Sequence, residues 1–168
     1  MTVGGNMKVR AQDVILEAHE VGVREKRTGR ILVDGVDLEL RAGTSLGIVG
    51  ESGSGKTLLC RALLGLVPRG LEATGSVLFE GRDVLAMPTR ELRALRGVGM
   101  SLVVQQAMTA LDPLARVGSQ LTGLFRDRLS LGKSEARELV LDSLAKVGLD
   151  ERVAKSYPHE LSGGMLQR

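Results

Sequence analysis

Aromatic side chains are nearly missing: there is no tryptophan, one tyrosine and two phenylalanines among 168 residues. Aliphatic residues must therefore fill the core, and no aromatic–basic platform for stacking nucleic-acid bases is available. Cysteine is confined to Cys60. One cysteine excludes an internal disulfide or a cysteine metal cluster, and Cys60 reads as a small buried apolar residue. No apolar run approaches the length of a membrane span. The start, Met1-Thr2-Val3-Gly4-Gly5-Asn6-Met7-Lys8, lacks the apolar stretch of a signal peptide, and Met7 could be the initiator. Charge of one sign does not dominate either. The net charge is +3, and scattered Arg and Lys read as a solvated surface, not a nucleic-acid patch. What is present, 43% hydrophobic and 26% charged residues, matches a soluble globular protein of one domain with a sizeable core.

The chemistry is concentrated in Gly50-Glu51-Ser52-Gly53-Ser54-Gly55-Lys56-Thr57, a complete G-x-x-x-x-G-K-[ST] loop, the Walker A motif. Its glycines let successive backbone N–H groups turn inward as a nest for an anion. The helix that follows adds its positive end. Lys56 can reach the β- and γ-phosphates of a nucleotide, and the Thr57 hydroxyl can ligate Mg²⁺. The flanks suit this context: Ser45–Val49 reads as a buried strand into the loop. Leu58, Leu59, Ala62, Leu63 and Leu66 read as one helix face leaving it.

Weak alternation over Asp13–Val23 predicts a strand, and Ile31–Leu40 a second, with Val36, Leu38 and Leu40 on one face. Further strands are expected over Gly75–Phe79 and Gly99–Val104. A short helix over Thr89–Arg96 takes Thr89 as its N-cap. Helical periodicity begins at Val117 with Leu121, Leu124 and Phe125. A second helix, with Ser134 as N-cap, carries Leu139, Val140, Ser143, Leu144 and Val147 and stops at Gly148. A short element spans Glu151–Lys155. Strands thus gather in the N-terminal part and helices behind them.

Leu161-Ser162-Gly163-Gly164-Met165-Leu166-Gln167-Arg168 resembles the signature motif of ATP-binding-cassette (ABC) ATPases. Physically it sets a serine hydroxyl and glycine N–H groups at a helix start, where an anion is favoured. The resemblance implies that Ser162, Gly163 and Gly164 bind the γ-phosphate of ATP held by a partner subunit. Val103-Val104-Gln105 resembles the strand leading to the family's Q-loop. By that likeness Gln105 contacts Mg²⁺ and the attacking water and links the site to a membrane partner. Within the family, Gly50–Thr57, Met108-Thr109-Ala110-Leu111-Asp112-Pro113 and Tyr157-Pro158-His159-Glu160 with the signature through Arg168 resemble the ATPase subunits of peptide and nickel importers. Gly-Gly-Met-Leu-Gln-Arg leans towards the metal-chelate branch.

The implied fold is an α/β P-loop NTPase core with an N-terminal antiparallel β subdomain and a helical subdomain. Residues about 12–104 would form the β and P-loop core, and residues about 105–168 the Q-loop, helical subdomain and signature. The implied function is the ATP-binding subunit of a bacterial importer. It would hydrolyse ATP, use Lys56, Gln105 and Ser162 in catalysis, and hold Mg²⁺ through Thr57 and Gln105. Its expected place is the cytoplasmic face of the inner membrane. Expected partners are transmembrane permease subunits, a second ATPase subunit and, indirectly, a solute-binding protein; no nucleic acid is expected. The other readings are a soluble ABC ATPase of DNA repair or translation, an unrelated P-loop kinase or GTPase, and an inactive fragment.

Three departures from the family pattern stand out. Gln106 and Ala107 follow Gln105, where Asp or Asn and then Pro are usual. No adenine-stacking aromatic stands near Arg27–Ile31, where Arg27 or Arg30 could stack instead. No Walker B acid, D-loop or switch histidine is found. Ile31-Leu32-Val33-Asp34 precedes the Walker A loop and is followed by Gly35, His19 precedes the core, and His159 reads as a surface loop residue. The chain is therefore expected to be the N-terminal part of a larger ATPase, truncated before Walker B. Alone it would hydrolyse little ATP and tend to aggregate.

Overall fold

The computed structural model describes residues 13–104 and 110–168. It divides into two compact units, one reaching Met100 and the other running from Ser101 to Arg168.

The first unit is built on a four-stranded antiparallel sheet. Its strands are β1 (Val14–Glu25), β2 (Ile31–Arg41), β3 (Leu71–Phe79) and β4 (Arg82–Asp83), in the order β2-β1-β3-β4. The central β1 sets Leu16 opposite Leu40 on one side and Phe79 on the other, and Ala18 opposite Leu38 and Val77. Alternation fails after Ala18 because β1 bulges there. Glu20 takes a φ of 50°, the register shifts, and Val21 and Val23 return to the core. Asp37 on β2 accepts the Glu20 N–H at 2.8 Å, satisfying a donor that the bulge takes out of the ladder. Gly75 lies across from the bulge at φ 81°. A Cβ there would stand 2.3 Å from the Glu20 carbonyl oxygen and 2.4 Å from that of His19, so only glycine fits.

Helix α1 (Lys56–Leu63) buries Leu59, Ala62 and Leu63. They join Leu16, Ala18, Val21, Val23, Val33, Val77 and Val84 in an aliphatic core, as the scarcity of aromatics requires. Leu58 is half-buried, whereas Leu66 lies beyond the helix and is exposed. Cys60 is half-buried, not fully buried. Arg96, which follows α2 (Thr89–Leu95), donates from Nε to the Leu64 carbonyl at 2.9 Å and from Nη2 to that of Gly65 at 2.5 Å. It thereby serves carbonyls that the end of α1 leaves free. Partial burial and the nearby Arg93 lower the Arg96 pKa.

In the second unit, α3 (Val117–Leu129) and α4 (Lys133–Lys146) bury Val117, Val140 and Leu144 with Val153, and Leu111, Leu121, Phe125 and Met165 pack against them. A 3-10 turn over Glu151–Lys155 follows, capped by Asp150, whose carboxylate accepts the Arg152 N–H at 2.8 Å. Hydrogen bonds from Arg152 hold the Asp150 carboxyl below its ordinary pKa. The last helix, α5, covers Gly163–Gln167.

Two strands and two caps differ from expectation. Residues 44–50 join no ladder, and Val49 and Leu46 are 92% and 49% exposed. Their apolar run carries a strand signal, but a strand also needs a paired neighbour, and β1–β4 leave this segment outside the sheet. Gly99–Val104 is likewise no strand. A turn closed by the Gly97 N–H to the Met100 carbonyl at 2.6 Å occupies its start, and residues 101–104 are unpaired. Thr89 is the first residue of α2, behind Pro88 as N-cap. Helix α4 is capped at Gly132, not Ser134. The Glu135 carboxylate accepts the Gly132 N–H at 2.9 Å, giving one half of a capping box without a hydroxyl.

Candidate nucleotide-binding site

Each unit carries one of the two candidate phosphate-binding motifs. In the first, residues 50–55 curl into α1. Gly53 and Gly55 have φ of 85° and 89°, a region that other residues enter only with strain. Gly55 is also confined: a Cβ would lie 3.0 Å from Val33 Cγ2 and 3.1 Å from the Leu32 carbonyl oxygen, whereas Gly53 faces open space. Strand β2 thus fixes how closely the loop can approach the sheet. The Ser54 N–H donates to the Glu51 carbonyl at 3.2 Å and closes the curl.

Lys56 is half-buried and turns back over the loop. Its Nζ donates to the carbonyls of Gly50 at 2.8 Å and Glu51 at 2.6 Å, and to Ser54 Oγ at 3.3 Å. Its partners in these bonds are neutral oxygens, and among the described residues it forms no ion pair. Thr57 is exposed in the first turn of α1. A cationic ammonium, left-handed glycines and a helix start form a donor set suited to phosphate, and the Thr57 hydroxyl is chemically suited to Mg²⁺. These residues fit a bound Mg–nucleotide. Arg27 and Arg30 are exposed around the turn before β2.

The second motif lies at the start of α5. Ser162 is its N-cap and its Oγ accepts the Met165 N–H at 3.3 Å. Ser162, Gly163 and Gly164 are all exposed, while Leu166 is buried. The turn before it is held by Glu160, whose carboxylate accepts the Tyr157 N–H at 2.7 Å. His159 is exposed and stacks on Tyr157 with ring centroids 5.6 Å apart.

Sequence reasoning missed two fastening residues. Gln120 on α3 accepts the Asp112 N–H at 2.9 Å and donates to the Asp112 and Ala115 carbonyls at 2.9 and 2.8 Å. It anchors the end of the Met108–Pro113 motif. Arg168 donates to the Gly148 carbonyl at 3.1 Å and ties α5 to the turn after α4. Gln120 bears no local pattern, because a single polar residue on a helix signals nothing until its partners are known, and the signature motif that contains Arg168 says nothing of its tie to Gly148. Gln105, and Met108 and Thr109 of the importer-like segment, lie outside the described residues.

A family model described as "ABC transporter" matches residues 33–168. The metal-staphylopine import system ATP-binding protein CntD of Staphylococcus aureus is 35% identical over 156 residues, covering 92% of this chain and 58% of that protein. The oligopeptide transport ATP-binding protein OppD of Salmonella typhimurium is 44% identical over 138 residues, covering 81% of this chain and 41% of its own length. The chain thus spans about half the length of these relatives. Among solved structures, the dimeric post-hydrolysis state of the ATP-binding cassette MJ0796 bound to ADP and Pi superposes with a TM-score of 0.72. It is 25% identical, over 90% of this chain and 65% of that one.

Proposed function

The chain belongs to the ABC transporter family, and on that premise we propose that it is the ATP-binding part of an importer for peptides or metal chelates. The import systems named for its relatives supply the solute classes. The proposed partners are transmembrane permease subunits and a second ATPase subunit, with a solute-binding protein engaged indirectly. The proposed location is peripheral, on the cytoplasmic face of a bacterial inner membrane. No helix among the described residues is long and apolar enough to cross a membrane.

The observation that carries this reading is the seat of Lys56, whose ammonium is held on the carbonyls of its own loop and, among the described residues, pairs with no carboxylate. In the proposed reaction ATP is the substrate. Backbone N–H groups of residues 50–55 and the Lys56 ammonium would bind its phosphates, the glycines keeping the backbone close. Thr57, and Gln105 by resemblance, would hold Mg²⁺, which when bound neutralises charge on the phosphates. Ser162, Gly163 and Gly164 would offer a hydroxyl and N–H donors to the γ-phosphate of ATP on a second subunit. The likeness to a dimeric cassette bound to ADP and Pi supports that arrangement.

Lys56→Ala tests the reading directly. Loss of one charge-assisted phosphate contact costs about 1.5–3 kcal/mol, or roughly 10- to 150-fold in ATP affinity or turnover. Titration of a fluorescent ATP analogue into both proteins measures it, and equal affinity with equal turnover would refute the assignment.

A further inference from the structure

We propose that the helical unit holds a second anion site, separate in chemistry from the phosphate loop, that takes a multiply charged phosphate group. The site is a cavity of about 530 Å³ walled by α3, α4 and the 151–155 turn. Arg116, Arg126, Lys133, Arg137 and Lys155 line it, against one carboxylate, Glu151. All five cations are exposed at the rim, and among the described residues none forms an ion pair. Arg116 instead lies over the Tyr157 ring, 5.7 Å from its centroid.

The cations converge because of where the helices put them. Lys133 and Arg137 are one turn apart on α4, and Thr122 and Arg126 one turn apart on α3. Gly118 lets the 151–155 turn close on α3, since a Cβ there would stand 2.6 Å from the Ala154 carbonyl oxygen. That contact brings Lys155 to the same concavity. Gly123 leaves it open, since a Cβ there meets nothing within 4 Å. Like charges gathered on a concave surface repel one another, and they focus a positive potential that an anion relieves. Guanidinium forks suit phosphate oxygens, and several cations suit more than one negative charge. A soluble phosphate compound and a phospholipid headgroup share this chemistry.

The test uses the whole chain in a Lys56→Ala background, which weakens phosphate binding at the loop. Pyrophosphate is titrated calorimetrically. Flotation is measured with phosphatidylcholine vesicles that contain or lack phosphatidylglycerol. Arg126→Glu/Arg137→Glu is expected to weaken binding of the active probe about tenfold or more, and added salt should weaken it in the parent. Gly123→Phe keeps every charge, is compatible with the helix, and should weaken binding by filling the cavity, so it decides the matter if the charge variant does not fold. Binding of pyrophosphate points to a soluble ligand, and selective flotation with phosphatidylglycerol points to a headgroup. Absence of binding to both probes, or binding unchanged in the folded variants, would overturn the proposal.

Discussion

At the scale of single residues, the phosphate loop separates two roles of glycine. Gly53 and Gly55 share a left-handed backbone, but only Gly55 is crowded by β2. Gly53→Ala should therefore bring only backbone strain, on the order of 1 kcal/mol. Gly55→Ala adds the contacts with Val33 and the Leu32 carbonyl and should cost more, about 2–3 kcal/mol. Thermal denaturation of the two variants, with ATP titration beside it, checks the order. Equal losses would mean that β2 yields at no cost. Arg96 offers a second case. Arg96→Ala leaves the Leu64 and Gly65 carbonyls without its guanidinium. A loss of about 1–3 kcal/mol is expected in urea unfolding, with ATP affinity unchanged. The glycine requirement was legible in the motif. The distinction between the two glycines was not, because it depends on Leu32 and Val33 of a strand well upstream in the chain.

At the scale of elements, the bulge in β1 and Gly75 in β3 form one device. Glu20 leaves the ladder, Asp37 satisfies its N–H, and Gly75 leaves room for the carbonyls that turn towards it. Gly75→Ala should cost at least about 2–3 kcal/mol, since the clash is with backbone at a positive φ. Asp37→Ala should cost about 1 kcal/mol, since the freed N–H can reach water. Chemical denaturation distinguishes them, and a neutral Gly75→Ala would show that the bulge is dispensable. Alternation in the sequence located β1 and β2 well, because one face of each meets an aliphatic core. Their bulge escaped notice because its partners are remote. Residues 44–50 show the opposite failure: their composition is strand-like, but they join no ladder among the described residues.

At the scale of the whole molecule, the chain carries two units, each with its own aliphatic core and its own candidate phosphate motif. If the signature serves a partner's nucleotide, Ser162→Arg should leave ATP affinity of the monomer nearly intact. ATP-driven dimerisation and hydrolysis should fail. The same change also removes the Ser162 cap of α5, worth about 1 kcal/mol. Ser162→Ala, which loses the cap but adds no bulk, is the control. Size-exclusion chromatography with and without ATP reads the outcome, and normal dimerisation of Ser162→Arg would remove the proposed role.

The sequence by itself determined what is carried by short-range spacing. The loop motif Gly50–Thr57, the motif Leu161–Arg168, and the existence, though not the ends, of the first two strands and of the helices that carry Val117 and Val140 follow from local patterns. Backbone curvature and burial periodicity are properties of neighbouring residues. Tertiary structure alone decided what depends on distant partners. It set which apolar segments find a ladder, made Gly75 answer to Glu20, put Arg96 on the end of α1 and fastened Asp112 to Gln120. It also gathered five cations from two helices and two turns around one concavity. Such contacts join residues whose separation in the chain leaves no periodic trace, so only folding brings their chemistry together.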